Sequence, residues 1–142
     1  MKLIYLILLL ILAIQGFVRL SPVDPDRWHV RPEPPEGTDD AQPGGFTAQR
    51  AFTDPPEALL ERLDAIALAT PRTTRIAGSP SEGMITYQTR SAFFGFPDYT
   101  TIFAQPEAGG SRAIFHARLR FGAADLGVNQ ARVQSWLARL DG

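Results

Sequence analysis

The chain contains no cysteine, which excludes disulfides, thiolate metal sites, a cysteine nucleophile and a lipid-modified cysteine behind a leader. Lysine is almost missing as well: Lys2 stands alone, and the other basic residues are arginines. There is no surplus of either charge sign. Fourteen basic and fifteen acidic residues leave a formal net charge of -1, so no nucleic-acid partner is expected. Any anion site must be local. Neither a GxGxxG run nor a Walker-type GxxxxGKS/T run occurs, which removes the common glycine-rich phosphate cradles. The two histidines, His29 and His116, lie far apart, and carboxylates cluster only at Asp39-Asp40. No metal and no cofactor is therefore expected.

What the chain does have is an apolar start. After Met1-Lys2 come twelve consecutive apolar residues, LIYLILLLILAI, then Gln15-Gly16 and Phe17-Val18-Arg19-Leu20. As a helix, Leu3 to Leu20 measures about 27 Å, just short of the roughly 30 Å hydrocarbon core, with Lys2 and Arg19 able to snorkel outward. The rival is a cleaved signal peptide, but small residues at the cleavage positions are missing around Ala13 to Gly16. Residues 1–20 are read as a membrane anchor or signal segment, with contact to membrane through residues 3–20. Positive charges on the two flanks do not decide the orientation. A signal-like leader leaves its short basic end behind, which places the rest of a single-pass bacterial inner-membrane protein in the periplasm. Residues 21–45 hold six of the twelve prolines and read as an extended tether. Trp28 within it suits either lipid headgroups or packing on the domain.

Residues 46–142 read as the folded domain. The segment Phe46 to Phe52 alternates weakly as a first strand. Asp54-Pro55-Pro56-Glu57 predicts a helix start with Asp54 as the N-cap, and Leu59, Leu63 and Ile66 make its apolar stripe. Four further strands are expected at Arg72 to Ala77, Met84 to Ala92, Tyr99 to Gln105 and Arg112 to Phe121, divided by turn signals and joined as a meander. In the last of them Ala113, Phe115, Ala117, Leu119 and Phe121 point one way and His116, Arg118 and Arg120 the other. Asn129 is read as the cap of a final helix whose Val133, Trp136, Leu137 and Leu140 follow the i, i+3, i+4, i+7 rule. The fold class is α+β: a four- or five-stranded antiparallel sheet with two helices on one face, preceded by a transmembrane helix.

Residues 117–133, ARLRFGAADLGVNQARV, are the densest stretch in charge and turn signals. Arg132 falls in the first turn of the helix started by Asn129, where a cation meets the positive end of the dipole at a cost of about 0.3 to 1 kcal/mol. Something anionic should offset it. One reading is structural: Asp125 or Asp98 bridges Arg132, Arg118 or Arg120. The other is an external phosphate, carboxylate or headgroup held by helix-start amides and the arginines. Arg90 adds to the positive side of that count.

Arg90-Ser91, then Phe96-Pro97-Asp98, then Arg118, Arg120, Gly122, Asp125, Gly127, Asn129, Arg132 and Val133 resemble the bacterial family catalogued as domain of unknown function 1499. The resemblance spans most of residues 46–142. It departs where the family has small hydroxyl residues beside the two strand arginines and this chain has Ala117 and Leu119. Ala123-Ala124 stand in place of an aromatic and a serine, and Gln130 in place of an arginine. These losses thin any hydrogen-bonding site. The resemblance implies no activity, because the family's function is unassigned.

The leading expectation is a membrane-anchored, non-enzymatic domain outside the cytoplasm that binds a partner or a small anionic ligand. The candidate residues are Arg90, Asp98, Arg118, Arg120, Asp125, Asn129 and Arg132, and no catalytic residue is assigned. One alternative is a hydrolase or transferase on an anionic substrate, with Asp98 or Asp125 as base. The other is a structural assembly subunit that partners an envelope protein.

Overall fold

Apolar side chains on every side of the first twenty residues leave no polar face for water. In the computed structural model, which describes residues 1–142, they form helix α1, Lys2–Leu20. It is the one helix long and apolar enough to cross a membrane, a description that a signal sequence also meets. Leu3 to Ile14 stand exposed around the whole cylinder, and Val18 is the only buried residue. Its last turn meets the domain. Arg19 donates to the Phe93 carbonyl at 3.0 Å, and Phe17 meets the Phe121 ring edge-on at 6.2 Å.

The proline-rich segment is laid against the sheet rather than strung free of it. Asp24 caps one helical turn, α2 (Pro25–Trp28), by accepting from the Asp26 N–H. Pro25 opens that turn, where its missing N–H leaves nothing unpaired. Trp28 then stacks on Tyr99 at 4.1 Å between ring centroids, so its partner is the domain. His29 Nδ1 lies 2.8 Å from the Thr86 hydroxyl. Farther on, Gln49 donates to the carbonyls of Pro35 and Gly37, and Asp39–Gln42 form strand β1.

Next come β2 (Gly45–Phe52) and α3 (Pro56–Leu68). The expected cap of α3 is corrected by one residue. Pro55 holds the N-cap position at φ -64°, ψ 157°, because the residue before a proline is pushed out of the helical region. Asp54 turns instead to Arg62 at 2.5 Å. The chain continues through β3 (Thr73–Ser79), a 3-10 turn at Pro80–Glu82, β4 (Met84–Arg90), β5 (Pro97–Glu107) and β6 (Gly110–Leu119) to α4 (Val128–Asp141).

The sheet has six strands in the order β1-β2-β6-β5-β4-β3, every neighbour antiparallel. β3 to β6 are the expected meander. The strand count exceeds the four or five expected because β1 lies in the segment read as tether, where Asp39-Asp40 carries no strand signal. Register pairs Phe46 with Ala117 and Ile102 with Phe115. These face Leu59, Leu60 and Leu63 of α3 and Val133, Trp136 and Leu140 of α4 in one apolar core. Each large side chain buried there contributes about 1.5 to 3 kcal/mol. Trp136 sits edge-on to Tyr87 at 5.6 Å and gives its indole N–H to Thr70 at 2.9 Å. With both helices on one side, the other side of the sheet is left to the segment around Trp28.

Candidate functional site

Alternation along β5 and β6, fixed by their register, sorts the candidate residues onto two sides of the sheet. Asp98 is paired with Leu119 and Thr89, on the side that carries the helices. There its carboxylate meets Arg132 of α4 at 3.2 Å, with the two side chains 15% and 10% exposed. Arg132 also donates to Asn129 Oδ1 at 2.6 Å. Burial raises the Asp98 pKa above its ordinary value, and the Arg132 charge opposes that rise. This cluster closes on itself.

Asp125 belongs to the same joint in a different role. Its carboxylate accepts from the Gly127 N–H at 3.0 Å, the Asn129 N–H at 3.1 Å and the Asn129 side-chain amide at 2.7 Å. Burial pushes its pKa up, but these bonds together outweigh burial and hold it below the usual value. Asn129 was expected to cap α4; that is corrected, since Gly127 holds the N-cap position at φ 81° and Asp125 supplies the capping oxygens. Asn129 is fully buried inside the first turn. With the helix starting at Val128, Arg132 sits beyond that turn, where the dipole penalty has largely faded.

Arg118 lies on the opposite side, paired with Gly45 and Tyr99. Its guanidinium donates to the Thr101 hydroxyl at 2.9 Å, the His116 carbonyl at 3.0 Å and the Trp28 carbonyl, and sits 5.4 Å from the Trp28 ring. No carboxylate pairs with it. Desolvation by burial lowers its pKa to about 10, the mark of a cation short of counter-charge. Beside it a cleft of about 400 Å³ opens between Val30–Pro35, which includes Arg31 and Glu33, and the sheet, lined also by Asp40, Gln42, Thr47 and His116. His116 Nδ1 is 2.9 Å from the Thr47 hydroxyl, and burial, then the Arg118 charge, lowers the His116 pKa to about 4. The ring is neutral at pH 7.

Arg120 and Arg90 join neither group. Arg120 reaches only the Tyr99 hydroxyl, at 3.4 Å, and lies over the Phe121 ring at 5.0 Å. Arg90 donates to the Gly95 carbonyl at 2.8 Å. The structure thus brings Asp98, Asp125, Asn129 and Arg132 together, and holds Arg118 apart with a different set. Thr47, Thr101 and Trp28 were not foreseen as its neighbours. Alternation in β6 already paired His116 with Arg118, but Thr47 needed the β2–β6 register, which no local pattern supplies.

A family model described as Protein of unknown function (DUF1499) matches residues 22–140. The chain belongs to this family. Membership takes in the segment from residue 22, so the stretch around Trp28 is part of the family unit. No curated protein matches the chain. Among solved structures, a Mesorhizobium loti protein is similar at 14% identity and a TM-score of 0.50, over 67% of this chain and 97% of that one. An uncharacterised Rhizobium leguminosarum protein aligns at 17% identity and a TM-score of 0.46, over 72% of this chain and 94% of its own. The first likeness supports the fold of the DUF1499 domain and says nothing of its chemistry.

Proposed function

We propose that this DUF1499 protein is a membrane-anchored, non-enzymatic domain, held outside the cytoplasm of a bacterial envelope, that binds a small anionic ligand at Arg118. The observation that carries the reading is a desolvated guanidinium with no carboxylate partner beside an open cleft. Carbonyls and a hydroxyl orient the side chain but no carboxylate bonds it, those lining the cleft being unpaired with it, and a ligand carboxylate or phosphate would supply bidentate bonds. The apolar α1 supports the anchor, and its short basic start supports the orientation.

The hydrolase reading draws on the Thr47–His116 contact, a hydroxyl beside a base. Three features weigh against it. A histidine with a pKa near 4 is a weak base, and no acidic side chain orients its ring. Arg132 and the aspartates are on the other side of the sheet from Arg118, so the charges do not converge on one substrate.

Calorimetry on the full chain in neutral detergent, titrated with inorganic phosphate and with succinate, tests the ligand. Saturation of wild-type protein by one of them, with loss of the isotherm in Arg118→Gln and partial retention in Arg118→Lys, is expected. Ligand at a hundred times its Kd should add about 2.7 kcal/mol of stability. Heat of binding that is the same in Arg118→Gln would remove the assignment. A carboxyl-terminal reporter enzyme active only outside the cytoplasm checks the location, and activity confined to the cytoplasmic form would reverse it.

A further inference from the structure

The end of the sheet where α1 finishes differs from the rest of the surface. Outside α1, the large exposed apolar residues beyond Met1 are Val30, Leu68, Phe93, Phe94, Phe96, Leu126 and Val128. All but Val30 sit at this one end. Phe93, Phe94 and Phe96 are on the β4–β5 connection, Leu126 and Val128 follow β6, and Leu68 ends α3. Phe93 is 87% exposed and Leu126 95%, so these are not core side chains caught at an edge. Such a concentration marks an interaction surface.

The β4–β5 loop is built to hold its rings out. Ser91 N–H donates to the Phe96 carbonyl at 3.0 Å, the Phe96 N–H returns to the Ser91 hydroxyl at 3.0 Å, and the Gly95 N–H reaches the Ser91 carbonyl at 3.2 Å. Phe94, Phe96, Phe121 and Phe17 then follow one another at centroid spacings of 5.9, 6.5 and 6.2 Å, from the loop to the last turn of α1. The exposed rings are thereby tied to the point at which the apolar helix ends.

Against the same loop lies a cavity of about 530 Å³ lined by Arg19, Arg72 and Arg90, with Ser91 and Gly95, and no acidic residue lines it. None of the three arginines forms a salt bridge. Arg19 bonds the Phe93 carbonyl, Arg72 the Arg90 carbonyl and Arg90 the Gly95 carbonyl. Gly95, at φ +68°, lets the Arg19 guanidinium lie directly on its backbone; a Cβ there would sit 3.0 Å from Arg19 Cζ. Arg72 is held at φ 56°, a strained position for an arginine.

We infer that this end of the domain rests on the membrane surface and that the Arg19–Arg72–Arg90 cavity takes the phosphate of an anionic phospholipid. The inference rests on the reading of α1 as an uncleaved membrane helix. Arg19, in the last turn of α1, then falls at headgroup depth. Exposed phenylalanine and leucine side chains flanking a cationic cavity at that depth match the boundary between headgroups and acyl chains, where apolar side chains insert and each arginine near the surface favours anionic lipid. The source is the bilayer that holds α1, because the cavity wall includes the end of that helix.

Native mass spectrometry tests this on the full chain, extracted from membranes and offered phosphatidylglycerol and phosphatidylcholine at equal concentration in neutral detergent. Retention should favour phosphatidylglycerol, and Arg72→Gly and Arg90→Gln should each reduce the preference about fivefold. Arg72→Gly should also fold at least as well as wild type, since glycine takes a positive φ without strain, so its loss of preference cannot come from unfolding. Phe93→Ser with Phe94→Ser should lower retention of both lipids. Equal retention of the two lipids by an intact chain overturns the inference and leaves the anchor standing. Complete displacement of the lipid by inorganic phosphate also overturns it, because the cavity would then be a phosphate site independent of the bilayer. An intact mass showing α1 removed overturns the inference and the anchor together.

Discussion

Arg132 of α4 and Asp98 of β5 meet at 3.2 Å on the helix-bearing side of the sheet, each side chain largely out of solvent. Breaking such a pair leaves a buried charge alone, which costs more than the pair itself contributes. Arg132→Ala should destabilise the domain by about 3 kcal/mol, read as a fall in Tm. Adding Asp98→Asn to that variant should recover part of the loss, because the stranded carboxylate is gone. Unchanged melting of Arg132→Ala would remove the structural role of the pair.

Asp125 accepts from two backbone amides at the start of α4. Asp125→Ala should lower stability by about 1 kcal/mol, the usual worth of a lost cap. The Gly127 and Asn129 amides should lose hydrogen-exchange protection ahead of the middle of the helix. Protection unchanged at those two amides would move the capping role elsewhere.

His116 makes stability depend on pH with a definite sign. Its folded pKa is about 4 against an unfolded value of about 6.5, so the unfolded chain binds the proton first. Stability from this group is present above about pH 6.5 and is lost as pH falls toward 4, by on the order of 2 kcal/mol after allowing for partial solvent screening. The raised pKa of Asp98 works the other way, favouring the folded chain as its carboxyl takes up a proton. Melting of wild type and His116→Gln between pH 7 and pH 4.5 separates the two: the wild type should lose more. Parallel curves would dismiss the histidine.

Trp28 holds the segment before β1 against the sheet through the Tyr99 ring and through its carbonyl to Arg118 and Thr101. Trp28→Ala should cost about 3 kcal/mol and open the bond after Arg27 to trypsin while leaving the β5–β6 core resistant. Cleavage at wild-type rates would show that other contacts secure the segment.

The strands and helices of the domain were legible because their signals are local. Alternation in β6 and the stripe from Val133 to Leu140 each needed only a few neighbouring residues. The division of the candidate arginines was not legible, since it depends on which residue of β5 stands opposite which residue of β6. Nor was the cover over Arg118, which comes from a tryptophan that precedes it by most of the domain. β1 was missed because Asp39–Gln42 has no apolar alternation, its four residues being exposed. At both helix starts the error was one of capping: consecutive prolines displaced Asp54, and Asp125 reached forward past Gly127 to do what Asn129 was expected to do.

The course of residues 21–38 bears on how far the domain can travel. A loose stretch of that length would let it swing tens of ångströms from the end of α1. Here Trp28, His29 and Arg31 are fastened to β5 and β4, and Gln49 and Arg50 of β2 grip the carbonyls of Pro35, Gly37 and Thr38. The apparent slack is already taken up. The domain is held on a short stem at the end of α1 rather than on a leash.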